Sequence, residues 1–247
     1  PIKADATRIA ALTSGETDFV LDPPLQDLER LKRGGTKVVE GNENRTIFFG
    51  FDHHRDELLY SSVKGKNPFK DLKVRQAINH AIDIEAIKTR IMRGQALPTG
   101  SIIAPQVNGF AREIDVRLPL DRNKAKQLLA EAGYPNGFEV TLDCPNNRYI
   151  NDEEICQAVT AMLAQVGIQA KLNAMPKAKY FEKAGATQKY DSSFNLLGWT
   201  PGSFDSHNVL LNITGCRDDK GSGAFNYGGY CNPKVDELAG KILGEND

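Results

Sequence analysis

Residues 138–174 read FEVTLDCPNNRYINDEEICQAVTAMLAQVGIQAKLNA, and this stretch decides the fold. Residues 138–142 alternate apolar and polar side chains, which is typical of a strand with one buried face. Residues 155–166 carry apolar side chains at helical spacing, and Gly167 ends the helix. Alternation returns at residues 168–174. The stretch therefore predicts a strand, a helix and a second strand, which is the unit of an α/β sheet.

The remaining chain predicts further helices and strands around this unit. Helices are expected at residues 6–12, 24–33, 74–82, 84–93, 125–132, 176–186 and 233–243. Strands are expected at residues 18–20, 37–40, 45–51 and 193–197. Asn151 and Glu154 have the spacing of a capping box for the helix that follows them. The polar stretch 52–68 is predicted to be a linker or the lobe crossing, and residues 97–120 a long ordered loop.

Composition bounds the classes of function. Lys and Arg number 31 against 32 Asp and Glu, so the net charge is -1 and the basic excess of a nucleic-acid-binding chain is missing. No stretch approaches the roughly 18 continuous apolar residues that cross a bilayer, so we expect no membrane insertion of this segment. The N-terminal residues PIKAD lack the basic and apolar regions of a secretion signal. Either the protein is cytoplasmic, or a signal was removed, or the sequence starts inside a longer chain.

The 4 cysteines form two local pairs, Cys144 with Cys156 and Cys216 with Cys231. Each pair brackets a polar, turn-rich loop, and the sequence has no Cys-x-x-Cys hook for zinc. We predict two local disulfides, each stabilising by roughly 3 kcal/mol in the chain-entropy model. Such bonds indicate an oxidising compartment such as the periplasm. Four free, partly buried thiols are the alternative.

Catalytic constellations are scarce in the sequence. It has no phosphate-binding P-loop and no Gly-x-Gly-x-x-Gly after a strand. Ser203, Asp205 and His207 are the residue types of a catalytic triad, but they share one loop, whereas triad members converge from separate elements. Asp205 is more simply interpreted as a turn or helix-capping residue. We therefore expect no enzymatic activity, no cofactor and no metal site.

Trp199 is the one tryptophan of the sequence, and it ends a predicted buried strand just before Pro201 and Gly202. A large aromatic residue at the carboxyl end of a strand in an α/β sheet is well placed to line a ligand crevice. A core tryptophan that packs under its own loop is the alternative. The sequence leaves both interpretations open.

Five stretches of sequence carry a family resemblance. They are RIAALTSGETD (residues 8–18), VRQAINHAID (74–83), AKQLLAEAGY (125–134), LGW (197–199) and NYGGYCNP (226–233). In these stretches, and in their order, the chain resembles bacterial extracellular solute-binding proteins of family 5, the dipeptide and oligopeptide type. Each stretch is weak evidence alone, whereas five in the family's order, spanning nearly the whole chain, are strong evidence.

The resemblance implies a fold, a location and partners. The expected fold is a mixed α/β sheet with flanking helices, the second lobe of a type II periplasmic-binding-protein clamshell plus part of the first lobe. Residues 1–50 would be the end of lobe 1 with the crossing strand, and residues 51–247 would be lobe 2. The chain then resembles an internal piece without the return to lobe 1. The implied function is capture of a peptide or peptide-like solute in the periplasm and its delivery to the membrane permease of an ABC importer.

The candidate ligand-binding residues share one loop, with one arginine added from the lobe crossing. They are Trp199, Thr200, Gly202, Phe204, Asp205, His207, Asn208 and Arg45. In peptide binders of the family, an acidic residue three positions after the tryptophan of Gly-Trp holds the ligand's amino group through a charge-assisted contact. That position is Gly202 here. An ordinary peptide bound through Asp205, another peptide class, an opine-like compound and another polar solute all remain open.

Two other functions compete with solute binding. A cytoplasmic transcription regulator can use the same fold as a ligand sensor, but its cysteines would be kept reduced. A hydrolase would use Asp205 and His207, but it would need a nucleophile and a base that converge from separate elements.

Overall fold

The computed structural model describes residue 2 and residues 4–244. The fold is built from two units. The smaller unit holds the residues up to Glu43 together with Glu85–Leu97. The larger unit holds Asn44–Ile84 together with the residues from Pro98 onward. Each unit is therefore assembled from two separate segments of sequence, and residue 50, the predicted boundary between lobes, lies inside the larger unit.

Helices occur at all the places where apolar residues recur at helical spacing. The α-helices are α1 (Asp5–Thr13), α2 (Leu28–Arg33), α3 (Leu72–Ala81), α4 (Ile84–Ala86), α5 (Arg122–Glu131), α6 (Asp152–Ala164), α7 (Lys177–Ala184), α8 (Ser206–Val209) and α9 (Pro233–Ile242). The π-helical turns Ile87–Ile91 and Leu210–Thr214 continue α4 and α8. Among the described residues, no helix has both the length and the apolar character that crossing a membrane requires.

A mixed sheet forms the centre of the larger unit. Its strands are β1 (Thr46–Phe51), β2 (Glu139–Pro145), β3 (Gln169–Met175) and β4 (Phe194–Trp199), in the spatial order β1-β4-β2-β3. β2 runs parallel to both β3 and β4, and β1 runs antiparallel to β4. The predicted strand–helix–strand unit is confirmed as β2, α6 and β3, because the alternation of apolar residues marks half-buried strands.

Apolar side chains cover both faces of β4. On one face, the ring of Phe194 lies 5.2 Å from that of Phe51 and 5.8 Å from that of Phe69, measured between centroids. On the other face, Leu197 packs in a cluster with Tyr180 and other buried residues, and Trp199 lies against this cluster. Burial on both faces makes β4 a rigid support for the loop that follows Trp199.

Two predicted strands in the smaller unit are wrong. Residues 18–20 and 37–40 form no ladder with any described strand, and Phe19 and Val39 are exposed. A strand needs a neighbour to satisfy its backbone N–H and C=O groups, and a short run of β-formers does not supply one.

The stretch at residues 52–68, predicted to be a linker or the lobe crossing, is an ordered part of the larger unit. Asp52 is buried and bonded to the guanidinium of Arg55 at 2.6 Å. The amide of Asn67 donates to the backbone oxygens of both residues, at 2.8 and 3.0 Å. Polar side chains of this stretch, whose composition suggested a solvated linker, are thus hydrogen-bonded within the protein.

The start of α6 differs from the predicted capping box. Asn151 adopts a left-handed conformation, with φ of 53°, and makes no side-chain capping bond. The carboxylate of Asp152 instead accepts from the backbone N–H groups of Arg148, Tyr149 and Glu153 at 2.9–3.0 Å. Two of these three N–H groups belong to the loop before α6, which folds back on the helix. The side chain that accepts them is therefore that of Asp152, one residue after the position predicted for the capping box.

Both predicted disulfides are present in the structure. Cys144 in β2 is bonded to Cys156 in α6, and Cys216 is bonded to Cys231. Cys144 and Cys156 are fully buried, whereas Cys231 is exposed. The first bond therefore ties the central strand to its crossover helix, and the second closes a surface loop.

A buried charge sits in the middle of the sheet. Asp143 in β2 is 0% exposed, and its carboxylate accepts from the amide of Asn173 at 2.7 Å and the hydroxyl of Ser192 at 2.6 Å. The ammonium of Lys183 in α7 lies 3.0 Å from the same carboxylate and 3.6 Å from that of Asp191. The network joins β2, β3, the residues just before β4, and α7.

We expect Asp143→Asn to lower the free energy of unfolding by about 3 kcal/mol, because Lys183 loses its buried counter-charge and keeps only the partly exposed Asp191. Urea denaturation at neutral pH measures the change. Asp56→Asn is the matched control, since the Asp56–Lys70 pair is solvated and contributes little. Equal shifts for the two variants would contradict the structural role of the buried pair.

Candidate functional site

The candidate site lies at one edge of the sheet. β2, β3 and β4 are parallel, so their carboxyl ends, at Pro145, Met175 and Trp199, lie at the same edge. β1 is antiparallel to β4 and begins there, with Thr46 opposite Trp199. In open α/β sheets, ligands bind in crevices outside the carboxyl ends of the strands. Arg45 and the loop after Trp199 are thereby brought to one edge.

Arg45 and Thr200 are joined by a hydrogen bond, although they are far apart in sequence. The Nε of Arg45 donates to the hydroxyl of Thr200 at 3.0 Å. The bond follows from the pairing of β1 with β4, which places the residue before β1 next to the residue after β4. The guanidinium is thus held beside the loop that carries the other candidates.

Trp199 is half-buried, and its ring is fixed from two sides. The indole N–H donates to the side-chain oxygen of Asn208 at 2.9 Å. The ring of Phe225 lies 4.7 Å away, centroid to centroid. Trp199 therefore packs against the core cluster while the residue as a whole stays partly exposed.

The loop after Trp199 exposes its tip. Thr200, Gly202 and Phe204 are exposed, and Phe204 has a left-handed backbone with φ of 56°. A Cβ atom built on Gly202 would meet no heavy atom within 4 Å. The position where peptide binders of the family carry an acid therefore has neither a side chain nor a steric obstacle to one.

Asp205 caps a helix, as the simpler interpretation of the sequence predicts. One carboxylate oxygen accepts from the backbone N–H of His207 at 2.8 Å, at the start of α8. The other accepts from the amide of Asn108 at 3.0 Å. The bond from His207 and then that from Asn108 lower the pKa of Asp205, because both stabilise the carboxylate. Each carboxylate oxygen of Asp205 thus accepts one hydrogen bond within the protein.

This geometry does not support a catalytic triad. Asp205 bonds to the backbone of His207, whereas a triad acid orients the imidazole. Ser203 lies on the exposed part of the same loop. Among the described residues, no group of three or more His, Cys, Asp or Glu side chains is placed to hold a metal ion.

Tyr149 was not singled out from the sequence, yet it organises this edge. Its hydroxyl accepts from the N–H of Gly198 at 2.8 Å and donates to the carbonyl of Gly198 at 3.2 Å. A Cβ atom on Gly198 would come within 2.8 Å of the Tyr149 ring, so the contact requires glycine. Tyr149 follows the carboxyl end of β2, and the rule that drew attention to Trp199 also applies to it.

Two guanidinium groups lie over the ring of Tyr149. The Cζ atom of Arg148 is 4.9 Å from the ring centroid and that of Arg45 is 5.7 Å from it. Burial raises the pKa of the Tyr149 hydroxyl, and the bond to Gly198 and both arginines oppose this rise. The edge thus places two cations over the buried ring of Tyr149, and the carboxylate of Asp152 accepts from the backbone N–H groups of Arg148 and Tyr149.

These features place the structure in the class of α/β lobes built on a mixed sheet, with the candidate site at the carboxyl edge. The family model described as "Bacterial extracellular solute-binding proteins, family 5 Middle" matches residues 1–221. The chain belongs to this family, whose members bind solutes for transport and are not enzymes. The two disulfides agree with an extracytoplasmic location.

Relatives and solved structures agree with this assignment. The glutathione-binding protein GsiB of Escherichia coli (strain K12) is 28% identical over 249 residues, which cover 100% of this chain and 46% of that protein. DppA of Helicobacter pylori in complex with peptide STSA has a TM-score of 0.77 at 26% identity, over 100% of this chain and 45% of that one. AgaA of A. tumefaciens R10 in complex with agropinic acid has a TM-score of 0.74 at 27% identity, over 100% and 47%.

The chain thus spans about half the length of the relatives it matches. The predicted fold, a lobe of a type II periplasmic binding protein, is confirmed by these structures. The comparisons give no support to a transcription regulator.

We expect Asp205→Ala to lower the free energy of unfolding of the larger unit by about 1 kcal/mol at pH 7, because α8 loses its cap. The folded-state pKa of Asp205 is lowered, so the stabilisation is present above the unfolded pKa and is lost as the pH falls through the folded value. Urea titrations followed by Trp199 fluorescence at neutral and strongly acidic pH measure the difference. Asp205→Asn is the control, since asparagine also caps; a difference between wild type and Asp205→Ala that does not shrink in acid would contradict a charged cap.

Proposed function

We propose that the chain is the ligand-binding part of the solute-binding component of an ABC importer. The complete protein holds a peptide or peptide-like small polar solute between two lobes in the periplasm and delivers it to a membrane permease. The observation that carries this proposal is the carboxyl edge of the sheet, where Arg45 and Arg148 lie over the ring of Tyr149 and where Trp199 ends β4. The disulfides favour this location over that of a cytoplasmic sensor.

The proposed organisation has residues 1–50 in the first lobe with the crossing strand and residues 51–247 in the second lobe. Closure of the lobes over the ligand is the expected mechanism, with a few polar groups and aromatic walls providing specificity. The exposed loop residues Thr200 and Phe204, together with His207, are proposed to contact the ligand when the lobes close. Nucleic acid is not a proposed partner, since the net charge is -1.

The chemistry of the edge supports an anionic group on the ligand. Arg148 and Arg45 supply positive charge over the Tyr149 ring. Gly202 supplies no acid for an ammonium, and both oxygens of Asp205 already accept hydrogen bonds. We therefore propose that the solute is oriented by a carboxylate or similar anion at the arginines, and not by an amino group at Gly202. Of the solved relatives, one is in complex with the peptide STSA and one with agropinic acid.

A thermal-shift screen of the full gene product tests the function. The panel holds peptides, opine-type acids and neutral polar solutes, and a ligand at 100 times its dissociation constant should add about 2.7 kcal/mol of stability. We expect the shift with anionic solutes, and we expect Arg148→Gln to weaken their binding roughly 10-fold or more through loss of a charge-assisted bond. Arg33→Gln, on the exposed surface of α2, is the control. Shifts with neutral solutes alone would contradict the anionic ligand, and no shift with any solute class would contradict solute binding.

A gain-of-function variant tests the role of Gly202. Since a side chain at residue 202 meets no neighbouring atom, Gly202→Asp should fold normally and create an ammonium-binding carboxylate. We expect it to bind peptides with a free amino terminus more tightly than the wild type does, measured by calorimetry, and N-acetylated peptides no better. Gly202→Asn has the same size without the charge and should show no gain. An equal gain for Asp and Asn would assign the effect to shape and not to charge.

A further inference from the structure

The loop closed by the Cys216–Cys231 disulfide reaches the candidate site. Phe225, within this loop, lies 4.7 Å from Trp199 between ring centroids. The backbone N–H of Phe225 donates to the carbonyl of Asn212 at 3.1 Å, and its side chain is 37% exposed. The loop thus supplies an aromatic neighbour that holds one side of the Trp199 ring, and sequence patterns gave no sign of this contact.

The two ends of this loop are held together beside the disulfide. The amide of Asn226 donates to the carbonyl of Gly215 at 2.9 Å and to that of Tyr230 at 2.6 Å, and each of these residues is adjacent to one of the bonded cysteines. A single side chain can bridge both carbonyls because the loop ends are close. The disulfide is the covalent tie across the same gap, and the guanidinium of Arg217 donates to the carbonyls of Asn226 and Tyr227 at 2.7 Å. Loss of the disulfide leaves the loop ends held by hydrogen bonds without a covalent constraint.

The two disulfides differ in their access to solvent. Cys144 and Cys156 are 0% exposed, inside the sheet and its crossover helix. Cys231 is exposed and Cys216 is partly exposed. Thiol–disulfide exchange requires a thiolate to reach one sulfur, so a reductant in solution reaches the second bond and not the first while the fold is intact.

We propose that the Cys216–Cys231 bond is a redox-sensitive latch that positions Trp199 through Phe225. In the oxidised loop Phe225 is held against the indole, and in the reduced loop this contact loosens and the Trp199 ring gains freedom. Phe225 is a positioning residue in this scheme. The consequence for ligand binding rests on the proposed function, whereas the effect on Trp199 does not.

The opening step uses a small dithiol as reductant. One of its thiolates attacks the sulfur of Cys231, a mixed disulfide forms, and the sulfur of Cys216 leaves as a thiolate and takes a proton. The second thiol of the reductant then displaces Cys231, which also ends as a thiol. Two electrons and two protons pass to the protein, and the dithiol becomes a cyclic disulfide.

The test uses the single tryptophan of the sequence as a reporter at the site. The folded chain is titrated with dithiothreitol, free thiols are alkylated and mapped, and acrylamide quenching of Trp199 is recorded at each step. We expect Cys216 and Cys231 to become alkylated at reductant concentrations about 10-fold or more below those for Cys144 and Cys156. Trp199 quenching should rise at this first step while the far-ultraviolet circular dichroism stays constant.

Variants at position 225 separate positioning from general destabilisation. Phe225→Ala should show raised quenching in the oxidised protein and little further rise on reduction. Phe225→Tyr keeps the ring and should behave as the wild type does. Unchanged quenching on selective reduction, simultaneous reduction of both bonds, or loss of circular dichroism at the first step would each overturn the latch.

A ligand titration distinguishes failure of the latch from failure of the proposed function. In the full gene product, the solute with the largest thermal shift is titrated before and after selective reduction, and we expect its affinity to fall. If quenching rises and affinity stays constant, Trp199 lies outside the ligand contacts and the latch does not regulate binding. If quenching stays constant while the solute still binds, the latch is wrong and the proposed function survives.

Discussion

The hydroxyl of Tyr149 bonds to both backbone groups of Gly198, and the rest of the site depends on this contact. Pairing between β2 and β4 covers Leu142 and Asp143 of β2 and does not extend to Gly198. At Gly198, near the end of β4, the Tyr149 hydroxyl therefore bonds the backbone groups that a neighbouring strand would otherwise pair with. Unpaired backbone groups at a buried strand end would be costly, so one side chain both completes the sheet and fixes its own ring.

Two positively charged side chains lie over this ring at the carboxyl edge of the sheet. Arg148 is adjacent to Tyr149 in sequence, and Arg45 arrives there because β1 runs antiparallel to β4. The carboxylate of Asp152 accepts from the backbone N–H groups of Arg148 and Tyr149, and the loop carboxylate of Asp205 caps α8. Positive charge on an aromatic platform, with the acid of peptide binders replaced by glycine, is the electrostatic basis for proposing an anionic solute.

The sequence predictions succeeded where one physical requirement dominated. Burial of one face produced the alternation in β2 and β3 and the helical period of α6, so these elements could be predicted directly. The predictions failed where the requirement was non-local. Residues 18–20 and 37–40 have strand-forming side chains but no described partner strand, and at the start of α6 the side chain of Asp152 bonds the N–H groups of the preceding loop, at Arg148 and Tyr149.

The sequence by itself determined the α/β class and predicted the two local disulfides and the placing of Trp199 at the end of a strand, because each depends on residues close together along the chain. The family resemblance followed from five short stretches in a fixed order. The sequence also identified Asp205 as a capping residue. Only the tertiary structure decided that Arg45, Tyr149 and Trp199 meet at one edge and that Phe225 lies against the indole. Strand order and direction set these distances, and hydrogen bonds between residues distant in sequence, such as Arg45 to Thr200, leave no periodic trace in the chain.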